Sequence, residues 1–219
     1  MSSATGVQTV AAASETQVSS PAVDLQTIAH ELRQPLSAIE SIAYYLSLAL
    51  PRDSRPARKQ ARRLQHLVEQ SNWILTCALQ LADEMPLAPQ PLNLEELITQ
   101  TVNTRAVQGE PRMHLELAVG LPLVNLDPGR GRALIENLLT LFRQVASDLH
   151  PVRVTTAAGE GGASLGIACA IPGYRSEASL GPGCGLSIQS ARRVVEAHGG
   201  TFNIHVDAAS GVSLKVVLP

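Results

Sequence analysis

The sequence predicts an α+β protein in which an antiparallel helical hairpin forms a dimeric four-helix bundle and an α/β sandwich follows it. Two observations lead to this prediction. Apolar residues recur at helical spacing in two long N-terminal segments, whereas short alternating strands and helical segments mix throughout the second half. A proline-rich stretch at residues 86–91 separates the two patterns.

Three regions follow from this division. Residues 1–20 are rich in Ser, Ala, Thr, Gln and Val, and we expect them to form a disordered leader. We assign residues 21–86 to the helical hairpin and residues 87–219 to the sandwich domain. The leader lacks the basic start and apolar stretch of a signal peptide, and no segment approaches the roughly 18 apolar residues of a membrane span. The sequence therefore predicts a soluble, cytoplasmic protein.

The hairpin is predicted from two apolar stripes, separated at residues 51–56 by two prolines and an aspartate. Two helices of about 28 residues joined by so short a link must fold back on each other. Their apolar face is wider than one partner helix covers, so we expect two chains to associate as a four-helix bundle. The stripes comprise Leu25, Ile28, Leu32, Leu36, Ile39, Ala43, Leu46 and Leu50, and then Ala61, Leu64, Val68, Ser71, Leu75, Ala78, Ala82 and Met85.

The second half alternates between helix and strand patterns. Helices are predicted over residues 94–102, 130–149 and 186–197, and Gly199 and Gly200 follow the last of them as its C-terminal stop. Strands are predicted over residues 113–119, 152–156, 164–170, 201–206 and 212–218, of which the last two form a hairpin.

Composition excludes several kinds of partner and site. The formal net charge of −2 does not favour nucleic acid or an anionic membrane as a partner. The three cysteines, Cys77, Cys169 and Cys184, lie far apart without metal-ligand spacing. An odd, sparse set of cysteines is typical of a reducing compartment rather than of a disulfide scaffold, and we predict no metal-binding cluster.

The segment His-Glu-Leu-Arg-Gln-Pro-Leu at residues 30–36 carries the candidate chemistry. If the apolar stripe faces the bundle, His30 lies on the opposite, solvent-facing side, and Gln34 lies one turn later on the same side. The neutral imidazole is a nucleophile for phosphoryl groups, and Glu31 could accept or orient the proton on the other ring nitrogen. Pro35 weakens the helix beside the histidine. A surface histidine on an amphipathic helix is the ordinary alternative.

This heptapeptide resembles the phosphoacceptor box of sensor histidine kinases. The resemblance implies that His30 is the phosphoacceptor and that Glu31 is its acid/base partner. Gln34 occupies a position where many relatives have Thr or Asn, which help to place water for dephosphorylation of a response regulator. The family's partners are a second copy of the chain and a response regulator receiver domain, and a separate sensor protein would provide the input.

The second half resembles the GHKL-type ATP-binding domain of the same family. The glycine-rich segment at residues 181–185, the helix after it and its His-Gly-Gly ending are similar to the last glycine box. Residues 121–139 are similar to the approach to the N box and to the N box itself. The resemblance implies ATP and Mg²⁺ as cofactors, with the nucleotide contacting Asn137, Gly173, Gly181, Gly183 and Gly185.

This sequence departs from the family at the residues that hold nucleotide. The family's N box has a second Asn one turn later, which coordinates Mg²⁺, and here that position is Leu141. Cys169, a poor acceptor, replaces the Asp that accepts a hydrogen bond from adenine. Only seven residues separate Gly173 from Gly181, so the lid over ATP is much shortened. We therefore expect impaired use of ATP and of Mg²⁺.

The leading hypothesis is a histidine phosphotransfer protein of the histidine kinase type, which relays phosphoryl groups between His30 and response-regulator aspartates. One alternative is an active ATP-dependent sensor histidine kinase with a divergent ATP site. Another is a non-catalytic pseudokinase that dimerises and binds a response regulator. A basic face on the second helix is either solvated or steers an acidic regulator, and it comprises Arg55, Arg58, Lys59, Arg62 and Arg63.

Overall fold

The computed structural model describes residues 24–51, 53–84, 86–105, 113–147, 149–159 and 161–219. Within them the chain has the predicted α+β organisation, a helical hairpin followed by a five-stranded mixed sheet with helices. The predicted leader at residues 1–20 and Met85, the predicted last member of the second stripe, lie outside the described residues. No described helix is both long enough and apolar enough to cross a bilayer.

The hairpin consists of α1 (Leu25–Ala49) and α2 (Arg55–Ala82). The carboxylate of Asp24 accepts a hydrogen bond from the backbone N–H of Gln26, 3.2 Å away, and caps the start of α1. At the other end of α1, the guanidinium of Arg58 donates to the carbonyl of Leu50 at 2.7 and 3.1 Å. These bonds give the carbonyl of Leu50, at the end of α1, hydrogen-bond partners and hold the start of α2 beside it. The short link therefore joins two antiparallel helices.

The apolar surface of α1 divides into two faces instead of the single stripe that the sequence predicted. One face packs against α2 within the chain and includes the buried Ala29 and Ala43. The other face stays exposed, and Ile42, for example, is 59 % exposed. We call this second face the open apolar face; its members are Leu25, Ile28, Leu32, Ile39, Ile42 and Leu46 of α1 with Leu64 and Leu67 of α2.

The sandwich domain contains three helices and two sheets. The helices are α3 (Leu94–Arg105), α4 (Pro128–Val145) and α5 (Cys184–Ala197), and a 3₁₀ turn spans Glu177–Leu180. The strands are β1 (Gln90–Leu92), β2 (Met113–Glu116), β3 (Val124–Leu126), β4 (Val152–Gly159), β5 (Gly162–Cys169), β6 (Thr201–Asp207) and β7 (Gly211–Leu218).

The large sheet has the strand order β2-β4-β5-β7-β6. Strands β2 and β4 are parallel, and the other neighbours are antiparallel. A separate antiparallel pair joins β1 to β3. The predicted helix at residues 130–149 ends earlier, at Val145, and Ser147 beyond it pairs with His150 in an isolated antiparallel bridge. The predicted strand at residues 113–119 ends at Glu116.

One face of the large sheet packs against α4 and α5, while the other face is polar. Alternate residues of β4 and β7 are buried, as in a strand with one covered face. Between the sheet and the helices lies an apolar core that contains Phe142 and Leu138 of α4 and Ile167 of β5. This layer fixes the direction of α4 and α5, the two helices that meet the hairpin.

Asp127 connects three parts of this domain at the start of α4. One carboxylate oxygen accepts from the N–H of Arg130 at 2.9 Å, and the other accepts from the N–H of Ala88 in the linker at 3.1 Å. The N–H of Asp127 itself donates to Nε2 of His198, 3.0 Å away, just after α5. The hydrogen bonds from Arg130 and Ala88 lower the pKa of the Asp127 carboxyl, so it is ionised at neutral pH.

Replacing Asp127 by alanine should lower the free energy of unfolding by about 1 kcal/mol, because the first turn of α4 loses its capping acceptor. Asp127→Asn keeps an oxygen for the Arg130 N–H and should lose less. Urea denaturation followed by circular dichroism measures both. The pKa of Asp127 is lower in the folded protein than in the unfolded chain. The stability that its carboxylate contributes is therefore fully present above the unfolded-state pKa of about 3.9 and is lost as the pH falls through the folded-state pKa. Denaturation at pH 7 measures the whole contribution. Equal losses in the two variants would contradict the capping role.

Candidate functional site

His30 is exposed on α1, on the side opposite the open apolar face. The amide nitrogen of Gln34 lies 3.3 Å from Nε2 of the His30 ring, across one helical turn. An amide nitrogen can only donate, so Nε2 is the acceptor in this contact and its single lone pair points towards Gln34. The contact matches the tautomer that carries the ring proton on Nδ1, in which Nε2 is the nitrogen that would act as the nucleophile.

Glu31 is also exposed but does not contact the imidazole. It lies one residue further along α1, about 100° around the helix axis from His30. Both residues are described by the structure, and no hydrogen bond joins them. Of the three residues that the sequence singled out here, the structure thus brings Gln34 to the histidine and leaves Glu31 facing solvent.

The helix beside His30 is continuous and anchored. Pro35 lies inside α1, which runs unbroken from Leu25 to Ala49. The guanidinium of Arg33 donates to the hydroxyl of Thr76 on α2, 3.2 Å away. This bond places His30, three residues before Arg33, at the level of the last turns of α2, because the two helices are antiparallel.

Asn137 lies in a buried polar cluster between the hairpin and the sandwich domain. Its side-chain oxygen accepts from the indole N–H of Trp73 on α2 at 2.9 Å and from the hydroxyl of Ser187 on α5 at 2.8 Å. The thiol of Cys77 also lies 3.4 Å from this oxygen, and the amide nitrogen donates to the carbonyl of Ser187 at 3.1 Å. We call Asn137, Trp73, Ser187 and Cys77 the Asn137 cluster. Within it, both the oxygen and the nitrogen of the Asn137 amide have hydrogen-bond partners.

The two other positions that would hold nucleotide are apolar or already engaged. Leu141, one turn after Asn137, is fully buried in the core. The Cys169 thiol is buried at the end of β5 and donates to the carbonyl of His150 at 3.2 Å. Burial raises the pKa of this thiol, so it offers adenine no anionic acceptor.

The glycine-rich segment before α5 packs against α2. Gly183 has a left-handed backbone, with φ of 85°, and forms the N-cap of α5. A Cβ at this position would lie 2.6 Å from Cγ1 of Ile74 and 3.0 Å from the ring of Trp73. Gly173 and Gly181 also have positive φ, whereas the position of Gly185 leaves a side chain room. Helix α2 therefore covers the start of α5, where phosphate would have to approach.

These residues do not fit ATP with Mg²⁺. The Asn137 amide oxygen has two lone pairs and already accepts from Trp73 and Ser187, so binding a metal would break buried hydrogen bonds. Leu141 has no ligand atom, and Cys169 gives no carboxylate to adenine. Within the described part of the chain, no group of three or more His, Cys, Asp or Glu residues could hold a metal ion.

Two buried thiols at this contact are also poor nucleophiles. Burial, together with the neighbouring Cys184, raises the pKa of Cys77 to about 12. Burial raises the pKa of Cys184 to about 11. Both remain protonated at neutral pH, and they behave as small packing residues between α2 and α5.

Sequence reasoning missed the part that Trp73 and Ser187 play beside Asn137. Trp73 was absent from the predicted stripes, although it is the only tryptophan in the chain. A tryptophan on an otherwise amphipathic helix needs a hydrogen-bond acceptor when buried, which is a weak signal for such a contact. Its partner is 64 residues away, so spacing alone does not identify it.

The chain is similar to several sensor kinases, although no protein-family model matches it. It is 24 % identical to the sensor histidine kinase ZraS of Escherichia coli K12 over 205 residues, which are 88 % of this chain and 44 % of ZraS. It is 29 % identical to the sensor protein kinase PilS of Pseudomonas aeruginosa over 125 residues, which are 56 % of this chain and 23 % of PilS.

The fold is similar to that of a solved kinase. A crystal structure of full-length ShkA in complex with AMPPNP matches 89 % of this chain and 45 % of the ShkA chain, with a TM-score of 0.60 and 23 % sequence identity. The chain thus spans less than half the length of ZraS, PilS and ShkA. The likeness covers the helical hairpin and the sandwich domain together.

The Leu141→Asn substitution would restore the amide that the family has at this position, and we expect it to destabilise the protein without creating a nucleotide site. Leu141 is fully buried, so the new amide would lose apolar packing and lack a partner. We expect a loss of roughly 2–5 kcal/mol in the free energy of unfolding, measured in urea. Leu123→Asn, at a position 60 % exposed, is the control and should change little. A stable variant that binds Mg·ATP in calorimetry would contradict this account.

Proposed function

We propose, from the premise that this chain is built as the core of a sensor histidine kinase, that it acts in two-component signal transduction as a histidine phosphotransfer protein. In this role His30 accepts a phosphoryl group from the aspartyl phosphate of one response regulator and passes it to the aspartate of another. The observation that carries the proposal is the exposed imidazole of His30, whose Nε2 lies 3.3 Å from the amide nitrogen of the exposed Gln34 side chain.

The transfer step needs only groups that the two proteins supply. Once the exposed Gln34 side chain turns away from the ring, the Nε2 lone pair of His30 attacks the phosphorus, the bond between phosphorus and the aspartyl oxygen breaks, and the regulator's carboxylate leaves with the electron pair. The ring then carries the phosphoryl group on Nε2 and its original proton on Nδ1. Return of the phosphoryl group to an aspartate reverses these bonds and restores the neutral imidazole.

Gln34 and Glu31 have different parts in this proposal. The Gln34 amide holds the ring in place before transfer and can then donate to a phosphoryl oxygen, or place a water for dephosphorylation. Glu31 is exposed beside the site and can stabilise the cationic ring of phosphohistidine by its negative charge. Both are positioning or electrostatic roles, and neither forms a bond to phosphorus.

Two surfaces of the hairpin support the proposed partners. The open apolar face fits a second copy of this chain, because two such faces would close a four-helix bundle and leave both His30 rings outside. The basic residues at the start of α2, including Lys59, Arg62 and Arg63, are exposed and can steer an acidic receiver domain. Arg58 is bound to Leu50 and contributes less to this charge.

Two labelling reactions test the phosphotransfer proposal. A panel of isolated receiver domains phosphorylated with ³²P-labelled acetyl phosphate should transfer acid-labile, base-stable label to the protein. The His30→Asn variant should lose all of this label, whereas His66→Asn, which replaces an exposed histidine on α2, should keep it. The second reaction uses γ-labelled ATP with Mg²⁺ and should give no label within the same time.

The other outcomes of these reactions favour the alternatives. Labelling of His30 by ATP would support an active kinase. Absence of label in both reactions, with a receiver domain still co-eluting, would support a non-catalytic binding protein. Label on His30→Asn would place the phosphoacceptor elsewhere and reject the proposal.

The open apolar face leads to a separate prediction about assembly. We expect a homodimer at micromolar concentration in analytical ultracentrifugation. Ile39→Glu places a charge in the open apolar face and should shift the protein to a monomer, because an uncompensated charge is costly in an apolar interface. Ser41→Glu adds the same charge on the side of α1 that carries His30 and should leave the dimer intact. A monomeric wild-type protein would contradict the bundle.

A further inference from the structure

We propose that the Asn137 cluster is a fixed lock between the two domains, which fills the site where family resemblance places the nucleotide and holds the sandwich domain against the hairpin. The sequence suggested Asn137 as a contact for ATP. The structure assigns it instead to Trp73 of the hairpin. This inference concerns how the domains are joined, and it stands whether or not His30 accepts phosphate.

The first support is the geometry of the Asn137 amide. It lies in α4 and joins α2, through Trp73, to α5, through both the hydroxyl and the carbonyl of Ser187. Asn137 and Ser187 are buried, with 6 % and no exposure, so none of these groups has water as a substitute partner. Opening the contact would leave an indole N–H and an amide unpaired until solvent entered, which opposes separation.

The second support is close packing around the same residues. Gly183 approaches Trp73 and Ile74 so closely that any side chain there would overlap them. The side-chain amide of Gln70 lies 3.5 Å from the carbonyl of Pro182 in the same segment. Helix α2 and the loop before α5 are therefore fitted to each other along a full turn, without space for triphosphate between them.

The third support is a set of bonds at the end of α2. The guanidinium of Arg193 on α5 donates to the carbonyls of Gln80, Leu81 and Asp83, and that to Asp83 is 2.8 Å long. These are the carbonyls that a helix leaves without partners at its C-terminus. A cation placed there also interacts favourably with the helix dipole.

Two side-chain contacts strengthen this end of the interface. The hydroxyl of Ser190 donates to the side chain of Gln80 at 2.7 Å. Arg130 at the start of α4 pairs with Asp83 at 2.9 Å. Hydrogen bonds between the hairpin and α4, α5 or the loop before α5 thus extend along α2 from Gln70 to its C-cap residue Asp83, a length of about 20 Å at 1.5 Å per residue.

The lock lies at the level of the phosphoacceptor. The bond between Arg33 and Thr76 sets His30 beside the last turns of α2, the same turns that Arg193 and Ser190 hold. The sandwich domain is therefore kept at one fixed position next to this end of the hairpin. A receiver domain that reaches His30 meets a rigid surface rather than a domain that swings between positions.

Cysteine labelling tests the lock because two of the three thiols lie beneath it. Cys77 and Cys184 are buried at the contact between α2 and α5, and Cys169 is buried elsewhere, at the end of β5. We expect slow labelling of all three by N-ethylmaleimide in the wild-type protein, followed by peptide mass spectrometry. Asn137→Ala should accelerate labelling of Cys77 and Cys184 at least tenfold and leave Cys169 unchanged. The exposed Asn203→Ala is the matched control.

A second measurement uses Trp73, the only tryptophan, as a reporter of the same contact. Its emission should shift to longer wavelength in Asn137→Ala and should not change when millimolar Mg·ATP is added to the wild-type protein. Equal acceleration at all three cysteines would mean that Asn137 only stabilises the core, and it would overturn the lock. Rapid labelling of Cys77 in the wild-type protein, or a saturable response of Trp73 to Mg·ATP, would also overturn it.

Discussion

The arrangement of this protein depends on one buried amide and on the rule that buried polar groups need partners. Asn137 bonds to residues of α2 and α5 while lying in α4, so the hairpin and both helices that face it are fixed relative to each other. Each partner is itself buried, and none can turn to water without the others moving. An amide oxygen is able to bind a cation, but that of Asn137 accepts hydrogen bonds from an indole and a hydroxyl and so joins the two domains.

Helix α1 of the hairpin has three sides with different surroundings. Helix α1 packs its small buried residues, such as Ala29 and Ala43, against α2, where close approach favours alanine. A second face, about a quarter turn away, carries the larger exposed residues that we propose to contact another chain. The third side carries His30 and Gln34, which stay in water. The residues that pack within the chain, those of the proposed dimer contact and those of the proposed phosphoacceptor site therefore lie on different sides of one helix.

Sequence reasoning succeeded where local periodicity or a short motif carries the information. It predicted both long helices, the helix that becomes α5 and the final strand pair, and it placed Gln34 on the side of His30. It missed β1 and β3, which have three residues each and are too short for an alternating pattern to identify a strand. It also predicted a single apolar stripe on α1. The structure divides this surface into two faces, because the position of α2 decides which apolar residues of α1 are buried within the chain. The Trp73 contact depends on tertiary packing between distant segments, and no pattern within either segment reveals it.

The open apolar face has a consequence for the amount of this protein that a cell must hold. A hairpin that leaves such a surface uncovered gains stability on association, so its melting temperature should rise with total concentration by mass action. Under the proposed dimer, dilution would populate a separated form whose exposed apolar face proteases and chaperones recognise. The cellular concentration of the chain would then influence how long each molecule survives before it is degraded.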